Sequence, residues 1–139
     1  MAFDYEAFTR ELTADIRTNG RPTSGPMVGR PLMILTTIGA RTGEKREAIV
    51  NFTRDGDAYV IAASKSGAPT NPAWYHNLRA NPEATAEAGR ETFRVRATIA
   101  TGAERDRLWE QHATELPNFR EYPPMTERVI PVISLERIG

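Results

Sequence analysis

Apolar and polar residues follow two different periods along the chain, and these periods predict where helices and strands lie. Phe8, Leu12 and Ile16 recur at helical spacing within residues 4–18, which is typical of an amphipathic helix. The Gly- and Pro-rich stretch 20–31 predicts a connector. Beyond the connector, apolar runs of strand length predict β-strands at 32–37, 47–54, 58–63, 84–88, 92–100 and 129–135.

Residues 92–100 show the cleanest strand pattern, because apolar and polar side chains alternate throughout. One face would carry Phe93, Val95, Ala97 and Ile99, and the other Arg94, Arg96 and Thr98. In the last predicted strand, Pro131 has no N–H to donate and is expected at an edge or a bulge.

Helix signals occur at two further points. Asn71 is expected to be an N-cap, with Pro72 in the first helical position and the helix stopping near Ala80. Thr101 and Glu104 have the spacing of a capping box and predict a second helix. About six strands with two or three helices predict an α+β fold, mainly β, built as a largely antiparallel barrel.

Composition narrows the function classes. The chain has 139 residues, 18 basic and 18 acidic, so its zero net charge argues against a nucleic-acid-binding protein. It has no cysteine, which excludes disulfides and thiolate chemistry. No stretch reaches the roughly 20 apolar residues of a membrane span, and no signal-peptide pattern is present. A cytoplasmic protein is therefore expected.

Candidate chemistry concentrates in residues 64–78, which leave a strand, cross a Gly/Pro loop and begin a helix. Lys65, the helix N-terminus, Trp74 and Tyr75 would suit a ligand with an anionic end and a planar ring. The alternative is that both aromatics are core residues. His76 and His112 do not have the spacing of metal ligands, and no metal site is predicted.

A second cationic cluster lies in the predicted turn 39–46, where Arg41, Thr42, Lys45 and Arg46 would form a phosphate-sized anion site. The competing interpretation is a solvated hairpin tip. The residues alone indicate a ligand-binding barrel without naming its ligand.

Three segments resemble the deazaflavin-dependent nitroreductase family of actinobacterial enzymes, which use reduced coenzyme F420. They are LTTIGARTGEKR at 35–46, ASKSGAPTNPAWYHNL at 63–78 and TERVIPVI at 126–133. The similarity extends over roughly residues 30–136. It implies a split β-barrel related to those of flavin reductases and pyridoxamine oxidases.

The resemblance also implies roles for individual residues. The cofactor's phosphate and carboxylate tail would be held by Arg41, Arg46, Lys65 and Asn77, with Thr42 as a further candidate in the same turn. The deazaflavin ring would be bordered by Ala62, Ala63, Ser64, Ala73 and Trp74. Ser64 and Tyr122 would meet the acceptor substrate as the catalytic candidates. Leu116 and Phe119 replace tyrosines common in the family, so a more apolar acceptor pocket is expected.

The resemblance predicts hydride transfer from reduced F420 to a quinone such as menaquinone, or to a nitroaromatic or activated alkene. An FMN-dependent barrel oxidoreductase and a non-catalytic cofactor carrier remain alternatives. We expect residues 1–30 to form a helix and linker attached to a barrel of residues 31–139. The helix could contact a membrane surface, where lipid quinones reside. The sequence leaves the oligomeric state open.

Overall fold

The computed structural model describes residues 3–139, and its central feature is one curled antiparallel sheet. The sheet contains β1 (Leu32–Ile38), β2 (Lys45–Asn51), β3 (Thr53–Asp55), β4 (Ala58–Ala62), β5 (Glu83–Ala88), β6 (Glu91–Ile99) and β7 (Val132–Arg137). The strand order is β2-β1-β5-β6-β7-β4-β3, and every adjacent pair is antiparallel.

An interruption between two strands at Phe52 shows how far the sheet curls. β2 and β3 lie at opposite edges of the sheet, although only Phe52 separates them in sequence. The Phe52 N–H donates to the Pro31 carbonyl at 2.9 Å instead of joining a strand pair. The single strand expected at 47–54 is therefore wrong, and the sheet has seven strands rather than six. The two edges must approach each other for one residue to connect them.

Three helices flank the sheet: α1 (Tyr5–Asn19), α2 (Ala73–Ala80) and α3 (Gly102–Glu115). Short 3-10 turns occupy Lys65–Gly67, Pro117–Glu121 and Pro123–Met125. The positions of all three helices agree with the sequence prediction to within about a residue or two, which is the usual uncertainty of helix ends. Among residues 3–139, no helix combines the length and apolar character needed to cross a bilayer.

Two predicted helix caps are wrong in detail. Pro72, rather than Asn71, occupies the N-cap of α2, and the Asn71 side chain accepts a hydrogen bond from Arg128 instead. Thr101 is the N-cap of α3 but makes no side-chain capping bond. Glu104 binds Arg107 in place of the capping box, because a guanidinium offers it a charge-assisted partner.

The strand predictions for β6 and β7 have different outcomes. Along β6 the apolar face is turned inward, with Phe93 and Val95 buried and Arg94 and Arg96 exposed, as alternation predicts. β7 begins after Pro131, so the predicted strand at 129–135 starts too early. β7 lies in the interior of the sheet between β6 and β4, a position in which a proline could not complete the ladder.

The apolar core has one main body and satellites beneath the helices. Met33, Leu35, Ile61, Val95 and Leu135 are fully buried inside the curled sheet. Separate apolar clusters lie where α1 packs on β1 and where α3 and the following 3-10 turn pack near the end of β4. The ends of β1 and β4 are thereby fixed, and the candidate site lies between them.

Candidate functional site

Two clefts of about 740 and 720 Å³ meet at the N-terminus of α2, where Ala73 and Trp74 line both. We call the first the polar cleft; its lining includes Arg41, Thr42, Arg46, His76 and Asn77. We call the second the apolar cleft; its lining includes Ala62, Ser64, Lys65, Phe119 and Tyr122. Trp74 is half-buried between them, so a planar group and a charged chain could bind on either side of one indole.

The β1–β2 turn builds the cationic wall of the polar cleft. The turn is closed by the Gly39 N–H, which donates to the Glu44 carbonyl at 2.7 Å. A Cβ at Gly39 would lie 2.7 Å from Thr42 Oγ1 and 3.3 Å from the Glu44 carbonyl oxygen, so a larger residue here would displace the Thr42 side chain. Among residues 3–139, Arg46 pairs only with exposed Glu44 at 3.0 Å, and exposed pairs of this kind are weak. Arg41 has no ion pair among the described residues, so both guanidinium groups can receive an anionic ligand.

Lys45, the other cation predicted in this turn, lies at the start of β2 opposite Ile38 and lines neither cleft. The structure thus separates one member of the predicted anion cluster from the other three.

Asn77 joins α2 to this turn from below. Its buried side-chain oxygen accepts the Ala40 N–H at 2.9 Å, and its amide nitrogen donates to Thr37 Oγ1 at 3.0 Å. The side-chain oxygen and one amide hydrogen are therefore already used in hydrogen bonds within the protein. The side chain fixes the turn, and with it the cationic residues that the turn carries, relative to α2.

The loop after β4 has an unusual backbone. Lys65, Ser66 and Gly67 have φ values of +46°, +54° and +81°, and only glycine adopts such values freely. A Cβ on Gly67 would lie 2.7 Å from the sulfur of Met125, so this position also needs glycine for space. Left-handed backbone at non-glycine residues is characteristic of ligand-binding loops. The exposed Lys65 ammonium makes one side-chain contact, to Thr70 Oγ1 at 3.3 Å.

Arg128 holds this loop in place. Its Nε donates to the Ala68 carbonyl at 2.9 Å, and its Nη2 donates to the Ser64 carbonyl at 2.8 Å. Its Nη1 donates to the Ala63 carbonyl at 3.1 Å and to Asn71 Oδ1 at 2.6 Å. Burial without a carboxylate partner lowers the pKa of the guanidinium, which still has ample donors for four neutral acceptors. The sequence predicts no role for Arg128, although it lies within the segment 126–133.

One wall of the apolar cleft is formed by Phe119 and Tyr122. The Tyr122 hydroxyl accepts a hydrogen bond from Asn118 Nδ2 at 3.3 Å. Leu116 lies behind Phe119, packed with Ala62 and Ile130, and does not line the cleft.

Ala63 is likewise fully buried in the main core and contributes its backbone to the site. Ala62, Ser64, Phe119 and Tyr122 thus share one surface, with Leu116 and Ala63 in the layer beneath.

His112 supports this wall from the core. Its ring meets Phe119 edge-on at 4.6 Å, and its Nδ1 shares a hydrogen bond of 2.8 Å with Thr53 Oγ1. Its Nε2 is buried without a partner among the described residues. Burial, reinforced by the positive charge of Arg30, lowers the pKa of His112 to about 4, so its imidazole is neutral at pH 7.

His76 is exposed and lines the polar cleft, a position that the sequence does not predict because a lone histidine has no distinctive pattern. Among residues 3–139, no three His, Asp or Glu side chains converge as a metal site requires.

Comparison with known proteins gives one consistent family. Residues 8–137 match the family described as F420H(2)-dependent quinone reductase. An F420H(2)-dependent quinone reductase of Mycobacterium tuberculosis is 39% identical over 123 residues, covering 86% of this chain and 83% of the relative.

Two solved structures extend the likeness to the fold. One, described as the F420-H2 Dependent Reductase FDR-A, has a TM-score of 0.70 and 34% identity, covering 77% of this chain and 95% of that one. The other, described as a domain-swapped dimer, has a TM-score of 0.72 and 31% identity, covering 96% and 100%. With the curled seven-stranded sheet, these matches confirm the split β-barrel expected from the sequence.

Proposed function

This chain belongs to the F420H(2)-dependent quinone reductase family, and from that premise we propose how its two clefts divide the cofactor and the acceptor between them. It is an oxidoreductase whose cofactor is coenzyme F420 and whose acceptor is a quinone. The observation that carries the proposal is the junction at Trp74, where a cleft walled by the exposed guanidinium groups of Arg41 and Arg46 meets a cleft walled largely by apolar side chains.

The phosphate and carboxylate tail of F420 would be held in and beside the polar cleft. Arg41, Thr42 and Arg46 offer charged and hydroxyl donors there, and Lys65 adds an ammonium at the edge of the neighbouring cleft. This donor set fits a polyanion, because its cations are engaged by at most one weak exposed pair. Asn77 would hold the β1–β2 turn in position relative to α2.

The deazaflavin ring would lie near Trp74, between Ala73 and the segment 62–64. The short side chains of Ala62, Ser64 and Ala73 let a flat ring approach the backbone closely, and the indole adds an apolar surface. When bound and reduced, the cofactor supplies a hydride. The protein's task is to hold the ring, orient the acceptor and exclude water.

Tyr122 would serve the proton half of the reaction. Reduction of a quinone by a hydride leaves an oxygen that must gain a proton to give the hydroquinone. Because the Tyr122 hydroxyl accepts from Asn118 Nδ2, its own proton is free to point toward that oxygen. Solvent would return a proton to Tyr122. Phe119, backed by Leu116, would form the apolar wall for the quinone ring.

The finer choice of acceptor extends the same proposal. Nitroaromatics and activated alkenes are also flat and electron-poor, so they would fit the wall formed by Phe119. With Leu116 and Phe119 supplying no hydroxyl, we expect these acceptors to be reduced more slowly than quinones.

Exposed apolar residues before α1, at its first position and in the linker after it favour contact with a membrane surface from the cytoplasmic side. Phe3 and Tyr5 are each 71% exposed and Val28 is 54% exposed. Sedimentation with anionic vesicles would test this contact, and binding that survives Phe3→Ser with Tyr5→Ser would contradict it.

The test of the function is spectroscopic. Reduced F420 mixed with the protein and menadione should be oxidised at a rate proportional to protein concentration. The same protein with reduced FMN should show no comparable rate. Tight F420 binding without turnover of menadione or a nitroaromatic would favour a cofactor carrier instead.

A further inference from the structure

The apolar cleft does not end at Phe119 and Tyr122, which we call the acceptor wall, but continues to the first helix. Phe8, Leu12 and Met27 line the same cavity as Phe119 and Tyr122, and Ile49 of β2 lines its floor. We call this extension, bounded by Phe8, Leu12, Met27 and Ile49, the α1 groove. The cavity lined by Tyr122 therefore also reaches residues of α1 and its linker.

α1 is attached to the sheet by apolar contacts that begin at Phe8 and by ion pairs at its C-terminal end. Leu12 and Ile16 pack on Leu32 and Ile34 of β1. Arg17 adds ion pairs to Glu87, at 2.9 Å, and to Glu47. These contacts hold the helix to the sheet near its end.

The N-terminal half of α1 extends over β2, which is an edge strand. A second cavity of about 620 Å³ lies beneath the same helix and shares Tyr5, Thr9 and Ile49 with the first. Open space therefore lies along both sides of the first turns of the helix.

We propose that the α1 groove receives the isoprenoid tail of a quinone whose ring is reduced beside Tyr122. This inference rests on the proposed function, since it places the tail of the same acceptor. Continuity with the acceptor wall indicates the occupant: a ligand in the groove that reaches Tyr122 must join an apolar chain to a redox-active ring.

Charge favours a quinone over other lipids. The polar groups along the groove include the Glu47 carboxylate and the neutral side chains of Thr9 and Asn51. The Glu47 carboxylate is already paired with Arg17, and Thr9 and Asn51 are neutral, so these groups offer no binding partner to the charged head of a fatty acid or anionic phospholipid, whereas a quinone has no charged head. At the outer end, exposed Phe3 packs on Phe8 with ring centroids 5.3 Å apart, giving the tail an apolar exit.

The experiment compares menadione with menaquinones that carry one or two isoprene units, using reduced F420 as donor. Burying about five apolar carbons per unit should lower the KM of the tailed quinones by about tenfold or more relative to menadione. Turnover of both quinones without any preference for the tail would overturn the α1 groove and leave the proposed function standing. Absence of turnover of either quinone would overturn both.

A variant pair localises the tail. Thr9 is half-buried and lines the groove, so Thr9→Trp should narrow it and lower the ratio of kcat/KM for tailed over tail-less quinone by about tenfold. Glu11→Trp adds the same indole at an exposed position that lines neither cavity and should leave the ratio unchanged.

Met27→Asn provides a second test in the linker, should the Thr9 variant fail to fold. It makes the groove more polar without filling it, and it should also lower the ratio. Equal ratios in wild type and in whichever of these two variants is folded would refute the assignment.

Discussion

Replacing Arg128 should loosen the loop that carries Ser64 and Lys65 at the apolar cleft. In Arg128→Ala, four acceptors lose their donor: three carbonyls and the Asn71 side chain. Each such bond contributes about 1 kcal/mol net, and a buried acceptor left unpaired costs about 1–3 kcal/mol. Removing the desolvated charge, whose pKa is already lowered by burial, offsets part of the loss. We expect the free energy of unfolding to fall by about 2–4 kcal/mol.

The distinguishing measurement is local. Amide hydrogen exchange should accelerate in the 64–71 loop, and the Kd for F420 should rise. The amides of β5 and β6 should remain more slowly exchanging than those of the loop. Arg128→Lys should recover only part of the effect, since an ammonium cannot span acceptors arranged around a planar guanidinium. Arg120→Ala is the matched control, because its partner is the exposed Glu110. Unchanged loop exchange and F420 affinity in Arg128→Ala would refute the reasoning.

Three further predictions concern single side chains. Lys65→Ala should weaken F420 binding by about 1–3 kcal/mol in a fluorescence titration, while Lys45→Ala, outside both clefts, should not; equal effects would remove Lys65 from the site. Tyr122→Phe should lower kcat for quinone reduction and leave the Kd for F420 nearly unchanged, and the opposite pattern would place Tyr122 on the cofactor side. His112 binds protons more weakly when folded, since its pKa falls from 6.5 to about 4, so stability should be complete above pH 6.5 and decline as the pH drops toward 4. Denaturant titrations should show a loss of about 3 kcal/mol over that window, absent from His112→Gln and retained in His76→Gln; a wild-type curve without this slope would contradict a neutral buried imidazole.

The sequence predicts the fold wherever the signal is local. Alternation in residues 92–100 identifies β6, and helical spacing of Phe8, Leu12 and Ile16 identifies α1. The break at Phe52 is not local: apolar residues continue through it, and only the closure of the sheet makes the chain change edges there. Pattern analysis therefore merged β2 and β3 into one strand, because curvature is a property of the whole sheet.

The candidate site divides in the same way. Lys65 and Trp74 were found because a Gly/Pro loop followed by a helix start is visible in sequence, and the structure places both at one cleft. Arg128 was not found, because its partners are backbone atoms and one amide located 57 to 65 residues earlier. Contacts to backbone leave no trace in residue type. Asn77 is likewise predicted as a site residue only through the family resemblance. Its hydrogen bonds to Ala40 and Thr37 depend on the fold and cannot be read from the sequence.

Arg128 offsets the backbone strain of the loop after β4 and connects that loop to the segment that follows Tyr122. Left-handed backbone costs about 1–2 kcal/mol at each non-glycine residue, so Lys65 and Ser66 would relax if the loop were free. Four bonds from one guanidinium are of the right size to offset that cost, and they come from a segment that itself follows Tyr122. The loop that would carry a cofactor contact is thus tied to the segment that would carry the acceptor contact. A shift of either would move the other, which would keep a cofactor and an acceptor bound there in a fixed relative position.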